Sequence, residues 1–386
     1  MIQKMQIPPD LLEQLFQAYF DARKNKRNTH NQLQFELNYE KKIFALFEEL
    51  KQESYHISTS ICFIIFHPVQ REIFAGDFRD RVIHHLVFNA LNPTFEKIFI
   101  HDSYSCRKEK GPLFGIKRLE HFHRSCSNNY QKRSFFLKLD IEGYFMSIDQ
   151  KILFQKVQKA IQQKQIPYSE FWLWLLNLIV FHNPTKNCII KGDKKDWHGL
   201  PHTKSLFYAS YQTGLPIGNL TSQLFGNVYL NDFDHFMKSK LKCKYYGRYV
   251  DDFIILHEKK EFLTALLPQI KTFLKKDGKL TLHPKKIHLQ LCKNGIPFLG
   301  AVIKPYRTYI RNRTKGSFYK KIQYWKNIQH QHPLSSEERM RCLSCLNSYL
   351  GLMNHLNAFR LQQKIVTEEL APRFDDLYLQ KQNPKS

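Results

Sequence analysis

Two adjacent carboxylates, Asp251 and Asp252, sit in the run Tyr245-Tyr246-Gly247-Arg248-Tyr249-Val250-Asp251-Asp252-Phe253-Ile254-Ile255-Leu256. Like charges side by side repel each other. Hard divalent cations relieve that repulsion because they prefer carboxylate oxygens. A site that transfers phosphoryl groups with two metals draws such carboxylates from at least two chain segments. A second segment is Phe135-Phe136-Leu137-Lys138-Leu139-Asp140-Ile141, a strand-like run with one acid, Asp140. An Asp-Asp pair alone also reads as a solvated turn, and the acid upstream at a strand end weighs against that alternative. Apolar and aromatic residues flank the pair on both sides, so 245–256 reads as a β-hairpin with two acids at its turn.

The chain that must position these acids has 386 residues, room for two or three subdomains. Its 59 Lys and Arg exceed 34 Asp and Glu, a net charge of +25 spread along the chain. Such an excess attracts polyanions and releases their counterions on binding. The longest apolar run, Phe171 to Phe181, covers 11 residues and contains Asn177. A membrane span needs ~20 residues, so this run reads as a buried helix. The N-terminus lacks the apolar core of a signal peptide. Eight cysteines show no disulfide-type spacing, which fits a reducing compartment, the cytoplasm. Cys342 and Cys345 form a lone CxxC inside a helical pattern and read as buried thiols rather than half a zinc site.

Residues 9–22 have helical apolar spacing and precede a basic stretch, Arg23, Lys24, Lys26 and Arg27. A second helical pattern covers 33–52, residues 58–75 alternate toward β, and 79–98 read as helix ending near Pro93. Asp149 is suited to cap a helix running to about residue 164. Residues 183–216 are polar and punctuated by Gly and Pro, an excursion from the core. Beyond it, 222–240 and 260–277 read as helices and 287–303 as short strands. Ser335 and Glu338 form a capping-box pattern opening a helix to about 350, and a last helix covers 354–370. Mixed elements early and helices late suit an α+β core with a C-terminal helical subdomain.

Tyr249-Val250-Asp251-Asp252 resembles the active-site box of reverse transcriptases, and further boxes follow in that family's order from about 60 to 303. Arg71 to Leu86 looks like the fingers segment of bacterial members, where basic residues neutralise an incoming triphosphate. Arg71 is the first choice for that contact and Arg79 the second, although Arg79 and Arg81 beside Asp80 also read as surface ion pairs. Asp102 to Gly111 is similar to the next fingers box, which implies a template-phosphate contact at Arg107. Asp140-Ile141-Glu142-Gly143-Tyr144-Phe145 resembles the first catalytic palm box. The resemblance implies Asp140, Ile141, Asp251 and Asp252 as metal-binding positions. It places Phe145 at the aromatic gate under the sugar, where a ring excludes a 2′-hydroxyl; a core aromatic is the alternative.

Gly214-Leu215-Pro216-Ile217-Gly218-Asn219-Leu220-Thr221-Ser222-Gln223 resembles the box whose glycine lets backbone approach a base pair. It implies Gly218, Ser222 and Gln223 as substrate contacts. Most reverse transcriptases carry Gln before that glycine and Pro after the serine. Ile217 and Gln223 stand there instead, a variant that looks like diversity-generating retroelement enzymes and related bacterial groups linked to phage defence. Leu282-His283-Pro284-Lys285-Lys286 is similar to the box supplying a lysine near the pyrophosphate leaving group. Lys286 aligns better than Lys285, and a solvated basic turn is the alternative. Phe298-Leu299-Gly300 resembles the primer-grip turn. From Lys304 to Lys326 eight basic residues, Lys315, Lys320 and Lys321 among them, interleave with aromatics and no acid, a nucleic-acid-binding composition.

These readings imply an α+β right-hand polymerase with an antiparallel palm sheet. Residues 1–55 form an N-terminal helical extension. Fingers and palm fill 56–300, with palm boxes at 135–150, 214–256 and 280–300, and a basic helical thumb fills 301–386. The implied cofactors are two Mg2+ ions, with Mn2+ able to replace them. The implied partners are a structured noncoding RNA template, a DNA primer or product, dNTPs, and an accessory protein or second polymerase subunit, with no membrane. The 16 residues after Leu370 are too few for an RNase H, endonuclease or maturase domain. Open alternatives are antiphage defence against a diversity-generating role, template-independent or protein-primed synthesis, and an RNA-binding scaffold without catalysis.

Overall fold

The computed structural model describes residues 5–24, 29–66 and 69–370. Lys26 and Arg27 lie outside the described residues, as do 371–386. Ten strands are described: β1 (Ser60–Ile65), β2 (Arg71–Ala75), β3 (Phe135–Asp140), β4 (Cys188–Ile190), β5 (Tyr245–Tyr249), β6 (Asp252–His257), β7 (His288–Leu291), β8 (Ile296–Phe298), β9 (Ala301–Lys304) and β10 (Arg307–Ile310). They form three sheets, ordered β2-β1-β4, β5-β6-β3-β7 and β10-β9-β8. The chain divides into two compact units. The first takes Met1–Lys108, Lys138–Phe253 and Ala265–Ile287, and the second Glu109–Leu137, Ile254–Thr264 and His288–Ser386. The ends of β3 and β6 that carry Asp140 and Asp252 belong to the first unit.

In the first unit, helices Leu11–Arg23, His30–Glu36 and Tyr39–Lys51 share an aromatic seam, with Tyr19 stacked on Tyr39 at 4.7 Å and edge-on to Phe78. The helix expected over 33–52 breaks in two at Asn38, whose backbone (φ −146°, ψ 47°) leaves the helical region. Strand β1 pairs antiparallel with β2, from Ile61 opposite Ala75 to Ile65 opposite Arg71, and parallel with β4. Its burial alternates residue by residue, as a strand covered on one face must. Asp77 caps the helix Phe78–Ile98 by accepting from the Arg79 amide. That helix does not stop near Pro93. Burial of Leu91 and Phe95 offsets the single backbone bond that proline removes. The helix Gln150–Gln163 opens where Asp149 accepts from the Ile152 amide at 3.0 Å. The apolar run is the helix Ser169–Phe181, with Leu175, Leu176, Ile179 and Val180 buried. None of the described helices is long and apolar enough to cross a membrane.

The second unit holds the antiparallel β8-β9-β10 meander. The helix Pro112–Cys126 packs against β9, and Glu120 accepts a hydrogen bond from the Thr308 hydroxyl. The helices Asn312–Gln331 and Ser336–Asn354 pack together, with Phe318 stacked on Tyr349 at 4.5 Å. Ser335 and Glu338 close the capping box. The chain ends its described course in a short helix, Phe359–Lys364, and a wider turn to Leu370.

One buried ion pair lies under the turn between β5 and β6. Arg248 and Asp234 are both fully buried. The guanidinium donates Nε to Asp234 Oδ1 at 2.8 Å and Nη2 to Oδ2 at 2.6 Å. The Tyr246 hydroxyl adds a third bond to the same carboxylate at 2.6 Å. Removing one member of such a pair strands a buried charge, which costs about 3–5 kcal/mol. Arg248→Met is therefore expected to lower unfolding stability by that amount. The triple change Arg248→Met, Asp234→Leu and Tyr246→Phe leaves no stranded charge, although it frees the Val250 carbonyl, Ser103 Oγ and Asn227 Oδ1, and should recover part of the loss. Urea denaturation of the three proteins checks this; a triple variant no better than the single would deny that stranded charge is the cause.

Candidate active site

The first unit brings both acidic segments together. Strand β3 ends in Asp140, and the chain beyond it is pinned on two sides. The Ile141 amide donates to the Asp251 carbonyl at 3.3 Å, and the His283 amide donates to the Asp140 carbonyl at 2.8 Å. The Glu142 amide donates to the Thr281 carbonyl at 2.9 Å. The end of β3 is thus wedged between the hairpin turn and the segment leading to Lys286. Gly143 follows with φ +53°, and a Cβ there would collide with the Thr203 carbonyl, so glycine is required at this bend.

The turn itself holds Val250 at φ +57°, a left-handed conformation that a β-branched residue resists. Three contacts hold it there. Arg248 Nη1 donates to the Val250 carbonyl at 2.9 Å, and the Val250 amide donates to Ser105 Oγ at 3.2 Å. The Tyr104 amide donates to the Arg248 carbonyl at 2.9 Å. Strain of this kind is maintained only where the surroundings over-determine the backbone.

Two lysines hold the outer carboxylates. Lys286 Nζ lies 2.8 Å from Asp140 Oδ1, and Lys138 Nζ lies 2.8 Å from Asp252 Oδ2. Among the described residues no three His, Cys, Asp or Glu side chains are gathered into a ready cation cage. The three aspartates nevertheless suit divalent cations by two observations. Asp252 Oδ1 is buried without a hydrogen-bond partner. Burial, and then the charge of Asp140, push the Asp251 carboxyl up to about 6. Burial also raises the Asp252 carboxyl, with Lys138 opposing. An oxygen-only, electrostatically unsatisfied set is what a hard cation completes.

The remaining expected residues fall into three groups. Exposed Arg71 opens β2, and its charge reaches the Tyr249 hydroxyl, opposing the upward push of burial and Cys106. Phe145 is half-buried, packed against the cluster of Cys62, Phe74, Met146 and Leu206, and its ring sits where a Cβ on Gly226 would come within 3.3 Å. It is therefore partly a core aromatic in position. Gln223 is exposed on the helix Leu220–Tyr229.

Other guanidiniums and box residues have internal tasks. Arg79 Nη2 pairs with Glu49 at 2.5 Å and lies over the Tyr55 ring, so it takes the ion-pair alternative. Arg107 gives Nε to Glu96 at 2.9 Å and Nη1 to the Ile100 and Ser103 carbonyls, with almost no exposure. Its template-phosphate reading gives way to bracing of the loop before Tyr104. Ser222 is buried beside His84 and His182 around a cavity of about 10 Å3, and its burial leaves little surface for a substrate contact. Gly218, at φ +133°, lets the box backbone approach the Phe74 carbonyl of β2.

In the second unit, Lys315 and Lys321 lie over Tyr319 and Tyr324 on the helix Asn312–Gln331, and Lys320 is exposed on the same helix. Sequence reasoning passed over Lys138, Arg248, Asp234 and Ser105. A basic residue two positions before Asp140 on the same strand face was the available signal for Lys138. Arg248 carried the same signal inside an apolar hairpin.

The raised Asp251 carboxyl fixes a pH dependence. Its folded pKa of about 6 exceeds the ordinary carboxylate value, so the folded state holds the proton more tightly. The contribution of Asp251 to stability is then fullest below about pH 4 and declines as pH rises to about 6, by up to roughly 2–3 kcal/mol. Asp251→Asn should be more stable than the parent above about pH 6 in chelator, with the gap closing near pH 4. Urea midpoints at both pH values check this; an equal gap at both would mean that shape, not charge, sets the difference.

The family described as reverse transcriptase (RNA-dependent DNA polymerase) matches residues 71–303, about three fifths of the chain. No curated protein sequence matches the chain. Among solved structures, apo telomerase from Candida tropicalis shares 11% identity at a TM-score of 0.47, over 80% of this chain and 59% of its own. Telomerase from Candida albicans in complex with a TWJ fragment of telomeric RNA shares 11% identity at a TM-score of 0.45, over 83% and 57%. The chain thus spans less than two thirds of the length of these structures. With residues 71–303 matched from the start of β2 to β9, and both aspartate segments inside that span, the chain belongs to the reverse transcriptase family.

Proposed function

We propose that the protein is an RNA-directed DNA polymerase whose nucleotidyl-transfer centre is Asp140, Asp251 and Asp252. The observation that carries this is the convergence of the end of β3 and the strained β5–β6 turn, with a lysine on each outer carboxylate. Asp140, Asp251 and Asp252, with the Ile141 position, would hold two divalent cations, Mg2+ by the hardness of the donor set and Mn2+ as a substitute. Such cations, when bound, stabilise the attacking and leaving oxygens of an in-line displacement. The residues supply the rest. Lys286, on the Asp140 carboxylate, is placed to give a proton or a compensating charge to the pyrophosphate. Arg71 offers its exposed guanidinium to the triphosphate, the exposed Gln223 is assigned to the substrate, and the Phe145 ring is assigned to the floor beneath the sugar. The basic face of Lys315, Lys320 and Lys321 contacts duplex or structured RNA.

The finer reading is a bacterial cytoplasmic enzyme that copies a dedicated structured noncoding RNA into DNA, with dNTPs, a DNA primer and an accessory protein. Ile217 and Gln223 in the glycine box support placing it with diversity-generating retroelement or antiphage-defence enzymes. Sequencing the RNA and DNA that copurify with the protein identifies the template and separates the two roles.

Two measurements test the chemistry. Asp251→Asn should lower primer extension on an RNA template by ~10³-fold or more while RNA affinity stays intact; synthesis within tenfold of the parent would remove Asp251 from the centre. Phe145→Val should raise rNTP relative to dNTP use by on the order of 10²-fold. If both rates and the melting temperature fall together with the ratio unchanged, Phe145 is a core aromatic and nothing more.

A further inference from the structure

Residues 183–214 form a surface that the reaction chemistry does not use. Its base is tied down. Glu72, buried on β2, accepts from Trp197 Nε1 at 2.7 Å, Ser205 Oγ at 2.7 Å and the Leu206 amide at 2.6 Å. Gln70 donates to the Asp196 and His198 carbonyls, and the Lys191 amide donates to the Cys62 carbonyl. The segment also abuts the bend and short helical turn, residues 143–148, that follow Asp140. The Thr203 carbonyl fills the space beside Gly143, and the Gly214 and Leu215 amides donate to the Ile148 and Phe145 carbonyls.

The outer face has the opposite character. Phe207, Tyr208 and Tyr211 are 40%, 61% and 86% exposed, and the His202 ring stacks on Tyr208 at 3.9 Å. Lys186, Lys191, Lys194, Lys195 and Lys204 are all exposed, and none makes an ion pair among the described residues. The two acids of the segment, Asp193 and Asp196, are turned into its own capping box. A tied-down segment thus carries the exposed Tyr208 and Tyr211 rings, the first stacked on His202, together with ammonium groups that make no ion pair among the described residues, while Phe207 packs inward against Phe74 and Trp197. Large aromatics left in water mark contact surfaces. Bases stack on such rings while lysines follow the phosphates, and only unpaired bases have faces to offer. An acidic protein would satisfy the lysines but leave the rings unused.

We propose that this face binds single-stranded RNA, the unpaired template strand close to the aspartate centre. The identity of that strand as template rests on the polymerase reading above; the binding itself does not. Fluorescence titration with a labelled single-stranded RNA oligonucleotide tests it. Tyr208→Ala with Tyr211→Ala should weaken binding by about tenfold to a hundredfold, and Tyr208→Phe with Tyr211→Phe should keep it, since stacking needs only the ring. Lys194→Gln with Lys195→Gln should lower the log–log salt slope by about one to two. Affinity for duplex RNA should stay unchanged in all three. In primer extension, the alanine pair should raise KM for a template with a long unpaired overhang and leave a template ending at the templating base unaffected. Unchanged single-strand affinity in the alanine pair, an equal loss in the phenylalanine pair, or a loss of polyglutamate binding in place of RNA binding would overturn the proposal. If the parent protein makes no DNA, the polymerase reading fails while the titration still decides the surface.

Discussion

The Arg248–Asp234 pair is the constraint on which the geometry of the acidic turn depends. All of the guanidinium's donor positions are used: two on Asp234, others on the Val250 carbonyl, Ser103 Oγ and Asn227 Oδ1. A hydrophobic replacement of a buried ion pair is often as stable. Stability alone therefore does not explain a charge here. What an apolar side chain cannot do is hold the Val250 carbonyl while that residue sits in a left-handed conformation. The pair converts a conformation costing on the order of 1–2 kcal/mol into a fixed presentation of Asp251 and Asp252. Burial of Asp234 in turn requires Tyr246 to complete its hydrogen bonding, so β5 is committed to this polar core at two alternate positions.

Charge above the turn is balanced differently. The carboxylates of Asp140 and Asp252 each meet one ammonium group, and Asp251 has burial against it. The arrangement is stable enough to fold and yet leaves Asp252 Oδ1 buried and unbonded. A centre whose residues were fully satisfied by one another would have nothing to offer a cation. Here the lysines neutralise without enclosing, which suits the proposed cation-binding role.

Two glycines near the site are required by close approaches of the backbone. Gly218 and Gly143 each make room for protein backbone: the Phe74 carbonyl in one case, the Thr203 carbonyl in the other. These close approaches join the glycine box to β2, and the excursion to the bend that follows Asp140, within the first unit. Precision at Asp140 is bought by packing several positions away from it.

The order of the acidic, glycine and lysine boxes was legible in the sequence because it is carried by residue types at fixed spacing: Asp140 at the end of an apolar strand, Asp251 and Asp252 between two apolar strands, Asp149 and Ser335 at helix starts. Local propensities and alternation determine such features, and they need no knowledge of distant partners. The tertiary structure decided which charges are free to work. Arg71, Arg79 and Arg107 look alike in the sequence, but Glu49 and Glu96 approach two of them from 30 and 11 residues away and leave Arg71 exposed. Ser222 went inward because its helix turns that face to His84 and His182. Lys138 met Asp252 only when strands far apart in the chain paired, and Arg248 met Asp234, 14 residues upstream, only when the hairpin packed onto the preceding helix. A side chain's type is local, but its partner, and with it its solvation, charge and availability, is a property of the packed chain.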